Sequence, residues 1–349
     1  MTAANTPTVT YRPVRALVTG GTGFIGSNLV RILLDEGVAV RVLAMPGDLG
    51  QNLAAVRDRV ELVTGDLLDE ASHRRALEGC DTLFHLAAIY AIWLPEPRKM
   101  YDVNVEGTRR LMRAALAAGV RRVVHTSSIA AIGARPDGAP ADEDCHFNDW
   151  SEASDYVLSK YISELEVLRM CGEGLPAVVV NPAFPFGAFD LGPTPTGQMI
   201  QHLMRGFPLS FPGAFNAVGV EDVARGHWLA ACRGAVGRRY LLGGENLTYG
   251  DFARRVAAVA GVKPPRWVVP RSAAIGLGAL GDFVADHVTH KPPMIAQATT
   301  RFTIGRDLCF DISRARRELG YDPAPIEGPI RAAVDWFRSG RAAVRRAGR

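Results

Sequence analysis

The chain has 349 residues, 40 basic against 36 acidic side chains for a formal charge of +4, and is 48% hydrophobic and 22% charged. That is ordinary for a soluble globular protein and enough for one large core or two unequal lobes. The charges are dispersed with no basic stripe among aromatics, which excludes nucleic acid as an expected partner. Cys80, Cys145, Cys171, Cys232 and Cys309 form no C-x-x-C pair, so neither a metal site nor a disulfide framework is predicted, and a reducing, cytoplasmic compartment fits.

In chain order, residues 1–12 lack the apolar core of a signal peptide and read as a flexible tail. "VRALVTG" (14–20) is a short apolar run ending in glycine, as a buried parallel strand requires. "FIGSNLVRILLDEG" follows with helical spacing of Ile25, Leu29, Ile32 and Leu33 and a stop at Gly37. Strands "VAVRVLAM", "VELVTGD", "DTLFHLAA" and "RRVVHTSS" then alternate with helices "SHRRALEGC" and "NVEGTRRLMRAALAAG". The helix containing "DYVLSKYISE" (155–164) leads to "PAVVVNPAFPFG". This alternation predicts an α/β, doubly wound parallel sheet of Rossmann type, over residues 13–180.

Beyond residue 180 the rhythm breaks. "VGVEDVARGHWLAACRG" reads as a segment, about 216–245, returning to the first sheet. Residues 181–215 and 246–340 are expected to form a smaller, mostly helical, discontinuous C-terminal lobe, and 341–349 an Arg-rich flexible tail. No apolar run reaches the length of a membrane span. Residues 272–288 come nearest; they read as a packed amphipathic helix, with peripheral membrane contact as the other reading.

Several features carry chemistry. Gly20, Gly23 and Gly26 sit at three-residue intervals between the first strand and the first helix. A turn without β-carbons lets the backbone approach a pyrophosphate, and the helix N-terminus offers unpaired N–H groups. Asp66 follows the third strand, placed either to accept from an adenine amino group or to cap the next helix. Ala87 and Ala88 end the fourth strand, where small residues suit either a neighbouring cofactor or close packing. Tyr156 and Lys160 stand at i and i+4 on one helix face. A free phenol has a pKa of about 10, which a nearby cation lowers. Ser128 ends the strand "VVHTSS" at the sheet edge where ligands bind in open α/β folds.

With "TGGTGFIG", "GDL", "HLAA", "NVEGT", "TSS", "YVLSK" and "NPAFPFG" in that order, the sequence resembles an extended short-chain dehydrogenase/reductase of the NAD-dependent epimerase/dehydratase type. It is nearest the dihydroflavonol reductase and 3β-hydroxysteroid dehydrogenase-like branch. The resemblance runs from about Arg15 to the end. It implies that Tyr156 donates a proton to a carbonyl oxygen, that Lys160 lowers its pKa and holds the nicotinamide ribose, and that Ser128 steadies the reacting oxygen. Asn104 would fix the backbone near the nicotinamide. The remaining cofactor contacts it implies are Phe24, Ile25, Leu67, Leu86, Ser127, Pro182, Ala183 and Phe184. At the end of the second strand, Ala44 and Met45 supply neither the acidic residue of NAD sites nor the arginine of NADP sites, so the cofactor reads as NAD(P)H with the choice open.

Tyr90, Trp93, Phe186, Phe189 and Phe211 lie in segments placed to line a pocket for an apolar molecule, or in the core. No dense basic or amide cluster for a diphosphate is evident. The expected function is therefore reduction of a ketone on a hydrophobic, sterol-, ceramide- or flavonoid-like small molecule. The alternative is a nucleotide-sugar 4-epimerase or dehydratase. A homodimer is a further expectation from the resemblance.

Overall fold

A computed structural model describes residues 11–91, 94, 96–284, 287 and 303–340. Trp93 and most of both predicted tails fall outside these residues. Tyr11 is tied to the fold, its hydroxyl donating to the Asp81 carbonyl at 3.2 Å and bonded to the Thr82 hydroxyl at 2.9 Å.

The first half alternates as the periodicity predicts: β1 (Arg15–Thr19), α1 (Phe24–Asp35), β2 (Ala39–Ala44), β3 (Val60–Thr64), α2 (Glu70–Leu77) and β4 (Thr82–His85). A helical stretch opens with α3 (Arg98–Tyr101) and ends with α4 (Thr108–Ala117). Then come β5 (Arg122–Thr126), α5 (Asp155–Cys171) and β6 (Ala177–Pro182). Ala16, Leu17 and Val18 of β1 are fully buried, because helices cover both faces of the sheet. Helix α5 starts where the Ser154 side chain accepts from Val157 N–H.

The second half contains β7 (Phe184–Phe186), α6 (Pro195–Met204), β8 (Leu209–Ser210), β9 (Ala214–Gly219), α7 (Val220–Arg233) and β10 (Arg239–Leu242). It continues with β11 (Glu245–Thr248), α8 (Tyr249–Ala260), β12 (Trp267–Val268), α9 (Arg271–Val284), β13 (Asp307–Leu308), α10 (Ser313–Leu319) and α11 (Glu327–Arg338). The main sheet has seven parallel strands in the order β10-β6-β5-β4-β1-β2-β3. Order reverses beside β1, the crevice where doubly wound sheets bind ligands. This is the Rossmann architecture that the alternation predicts. The C-terminal part adds a small mixed sheet, β11-β9-β13 with β7 on β9. Among the described residues no helix is long and apolar enough to cross a membrane.

Phe186 departs from its expected place in a pocket. It is 2% exposed, and its ring packs 4.5 Å from Phe252 and 6.1 Å from Phe215. The strand period turns it inward, away from the face of its neighbours. Phe252→Ala, which empties the centre of this cluster, is expected to cost about 3–5 kcal/mol, read as a lowered midpoint in urea unfolding.

Candidate active site

The glycine turn is shaped by close approach. Gly20 has φ +70°, and a β-carbon there would lie 2.8 Å from the Ala87 nitrogen. A β-carbon on Gly26 would stand 2.0 Å from the Gly20 carbonyl oxygen. Side chains are therefore excluded, and α1 begins at Gly23 with no side-chain cap. Its first N–H groups are left for another acceptor, which is the geometry that binds a phosphate. Ala87 and Leu86 run beside this turn, their N–H groups donating to the Thr19 hydroxyl and carbonyl at 3.2 and 3.1 Å.

Asp66 does not cap α2. That role falls to Asp69, whose carboxylate accepts from Ala71 N–H, while Asp66 accepts from Leu68 N–H at 2.9 Å. Leu67 is buried against Gly107. Asp48 bridges the Thr22 hydroxyl at 2.6 Å and Gly50 N–H at 2.9 Å, so it shapes the loop after β2.

Between α3 and α4 the chain forms a π turn, Asp102–Gly107, which periodicity does not reveal. It carries Asn104, 1% exposed. The Asn104 amide accepts from Ile89 N–H at 2.7 Å and donates to the Ile89 carbonyl at 3.0 Å and the Ser159 hydroxyl at 3.0 Å. It thereby pins the loop after β4 to α5.

On α5, Tyr156 stands next to Ser128, the residue that ends the strand-edge run, close enough for the Ser128 hydroxyl to act on its phenol. Burial pushes the Tyr156 phenol up to about 12, and the Ser128 hydroxyl opposes this. Lys160 was expected to lower the phenol; its ammonium instead donates to the Thr126 carbonyl at 2.6 Å. Burial pulls Lys160 down to about 8, with Glu164 acting against it. The tyrosine is thus held as a protonated phenol and the lysine as an ammonium at neutral pH, an acid beside a cation at the end of β5.

Below them the sheet register places His85 opposite His125, and their rings stack at 5.4 Å. His85 is wedged between the hydroxyls of Thr19 and Thr108, both at 2.8 Å. Burial brings His85 to about 3, pulls His125 well below the usual imidazole range, and brings His227, which bonds the Thr126 hydroxyl at 2.9 Å, to about 4. All three are neutral. The Ser127 hydroxyl, 4% exposed, has no partner among the described residues.

The predicted pocket residues separate. Tyr90, 50% exposed, lays its ring 4.8 Å from that of Tyr156. Phe189 does not join it: its φ of +74° turns the ring between the Arg31 guanidinium at 3.8 Å and the Trp336 indole at 5.0 Å. Phe211 is half-buried after β8. Phe184 is half-buried and edge-on to Phe215, after buried Pro182 and Ala183 at the end of β6. A cleft of about 280 Å³ begins at Ile129, next to Ser128, and is lined by Ile132, Leu308, Phe310 and the Arg306–Asp149 ion pair. None of the predicted aromatics borders it.

The NAD dependent epimerase/dehydratase family model matches residues 16–243. The chain belongs to that family. It is 38% identical to sterol demethylase protein B of Methylococcus capsulatus, over 92% of this chain and 98% of that protein. It is 30% identical to a 3 beta-hydroxysteroid dehydrogenase/Delta 5-->4-isomerase of Mycobacterium tuberculosis, over 88% and 86%. The dTDP-glucose 4,6-dehydratase DesIV of Streptomyces venezuelae, solved with NAD and TYD bound, superposes with a TM-score of 0.76 at 26% identity, over 95% and 98%. The family's nicotinamide dinucleotide fits the uncapped α1 terminus, the crowded glycine turn and the unpartnered Ser127 hydroxyl. Sequence reasoning missed Thr126, His85, His125, Asn181 and Glu164. Only Glu164, four residues past Lys160 on the same helical face, left a signal in the spacing.

Neutral buried histidines set a pH dependence. Each has a folded pKa below its unfolded value near 6.5, so its contribution is complete above pH 6.5 and is lost as pH falls toward 3–4. Between pH 6.5 and 5 His85 and His227 should each remove about 2 kcal/mol, seen as a falling urea midpoint that His85→Gln makes shallower.

Proposed function

We propose that the protein is an NAD(P)H-dependent reductase of a ketone on a hydrophobic, sterol-, ceramide- or flavonoid-like molecule. The observation that carries this reading is the Tyr156 phenol, half-buried beside Ser128 at the end of β5, with its pKa raised to about 12 by desolvation. A phenol so placed keeps its proton until a developing alkoxide takes it, as a general acid for carbonyl reduction requires. The bound nicotinamide supplies the hydride to the carbonyl carbon. Ser128 steadies the carbonyl oxygen, Tyr156 protonates it, and Lys160 supplies positive charge beside the ribose and the phenol. Asn104 fixes the Ile89 backbone at the site's edge. Gly20, Gly23, Gly26, Ser127 and the end of β6 would hold the dinucleotide, and Asp66 would be free to accept from an adenine amino group.

The apolar substrate is supported by the sterol and steroid relatives and by the Tyr90 ring against Tyr156. The second reading, a nucleotide-sugar dehydratase or epimerase, is favoured by the likeness to the dTDP-glucose dehydratase along nearly the whole chain. The two differ in what the lobe must bind. Calorimetry with UDP and dTDP should show no tight binding on the first reading and tight binding on the second. With a panel of hydrophobic ketones, the protein should consume NAD(P)H, and Tyr156→Phe should lower kcat by about 10²–10⁴-fold while leaving cofactor affinity nearly intact. Undiminished turnover in that variant removes Tyr156 from its role.

A further inference from the structure

Beneath this site stands a buried carboxylate that the proposed chemistry does not use. Glu164 lies one turn past Lys160 and two past Tyr156 on the same face of α5, and is 1% exposed. A carboxylate so far from water is costly unless both oxygens are bonded. One accepts from the Arg239 guanidinium at 2.8 Å, the other from the Asn181 amide at 2.7 Å. Asn181, itself fully buried, also donates from that nitrogen to the Ser128 carbonyl at 2.9 Å. Arg239 spends its remaining donors on the carbonyls of Glu143 and Cys145, at 2.8 and 2.9 Å. The unit therefore runs from β10 through α5 and β6 to Ser128, whose hydroxyl acts on the Tyr156 phenol.

We propose that Glu164 is a positioning residue of the reaction. Through Asn181 it fixes the Ser128 backbone, and through its negative charge it keeps the Lys160 ammonium protonated at working pH. This rests on the dinucleotide reading above. Ion pairing to Arg239 alone would make Glu164 a structural strut; the Asn181 link to Ser128 is what a strut does not need.

Of the charged groups about Lys160, Glu164 is the one that raises it, and the Arg239 guanidinium bonded to that carboxylate at 2.8 Å offsets part of its charge. His85 on β4 and His125 on β5 are neutral. The π turn faces α5 with the uncharged amide of Asn104, and its Glu106 is paired with Arg109 and Arg110. Tyr101 on α3 is bonded to Asp155, and Tyr156 is a neutral phenol. Burial pulls the lysine down, and the carboxylate one turn away opposes it.

The electrostatic role is tested without substrate, and the positioning role with the hydrophobic ketone that the unaltered protein turns over. NAD(P)H binding, followed by nicotinamide fluorescence from pH 6.5 to 10, should weaken in the unaltered protein as pH rises through about 8, where Lys160 loses its proton. Glu164→Gln, close in shape but uncharged, should move that step about one pH unit lower. Glu164→Asp should restore much of it. Asn181→Ala keeps the carboxylate, so it should leave the step in place while lowering kcat about tenfold more than it raises KM. A step that does not move in Glu164→Gln overturns the electrostatic role. Should that variant not fold, Asn181→Ala carries the test, and an unchanged kcat overturns the positioning role. A protein that binds no NAD(P)H at any pH overturns the dinucleotide reading itself, whereas binding with an unmoved step overturns only what is said of Glu164.

Discussion

Thr126 is the residue on which the candidate site turns. As the last residue of β5, its carbonyl receives the Lys160 ammonium from one side of the sheet, and its hydroxyl bonds His227 of α7 on the other. His227 gives its other nitrogen to the Val223 carbonyl at 2.7 Å, so that nitrogen carries the proton and the ring accepts from Thr126. A strand end is where backbone carbonyls run out of ladder partners. Here the partner is a buried cation, and satisfying it decides where α5 sits and therefore where Tyr156 points.

The same need explains the density of polar side chains in so small a volume. Thr19, His85, Thr108, Asn104 and Ser159 each find a partner across an element boundary, and each pairing fixes one element against another. Apolar packing alone tolerates sliding; a directional bond at both ends of a residue does not.

The sequence made the frame legible where a residue's role is set by its own element. Periodicity placed β1, α1 and α5. The glycines declared a turn, and Tyr156 and Lys160 shared a face because helices repeat every 3.6 residues. It was silent where role depends on register between strands or on a distant partner. Nothing local distinguishes His85 from a surface histidine; only the pairing of β4 with β5 buries it beside His125. Phe186 and Phe189 stand three residues apart in one aromatic run, yet one enters the core and the other covers Arg31, because a residue of positive φ lies between strand and loop. The rise of the Tyr156 phenol is not legible for a related reason: proximity on a helix says nothing of desolvation, which outweighs the opposing Ser128 hydroxyl, or of the Thr126 carbonyl, from another strand, that accepts from the ammonium.

The widened turn at Asp102–Gly107 makes length a constraint of its own. Each residue in a helix advances the azimuth by about 100°. Removing one here to restore regular winding would swing the Asn104 amide off the Ile89 peptide even though every side chain upstream was kept. Insertions and deletions in this segment should therefore be tolerated less well than substitutions at its exposed positions, an asymmetry opposite to that of an ordinary surface helix.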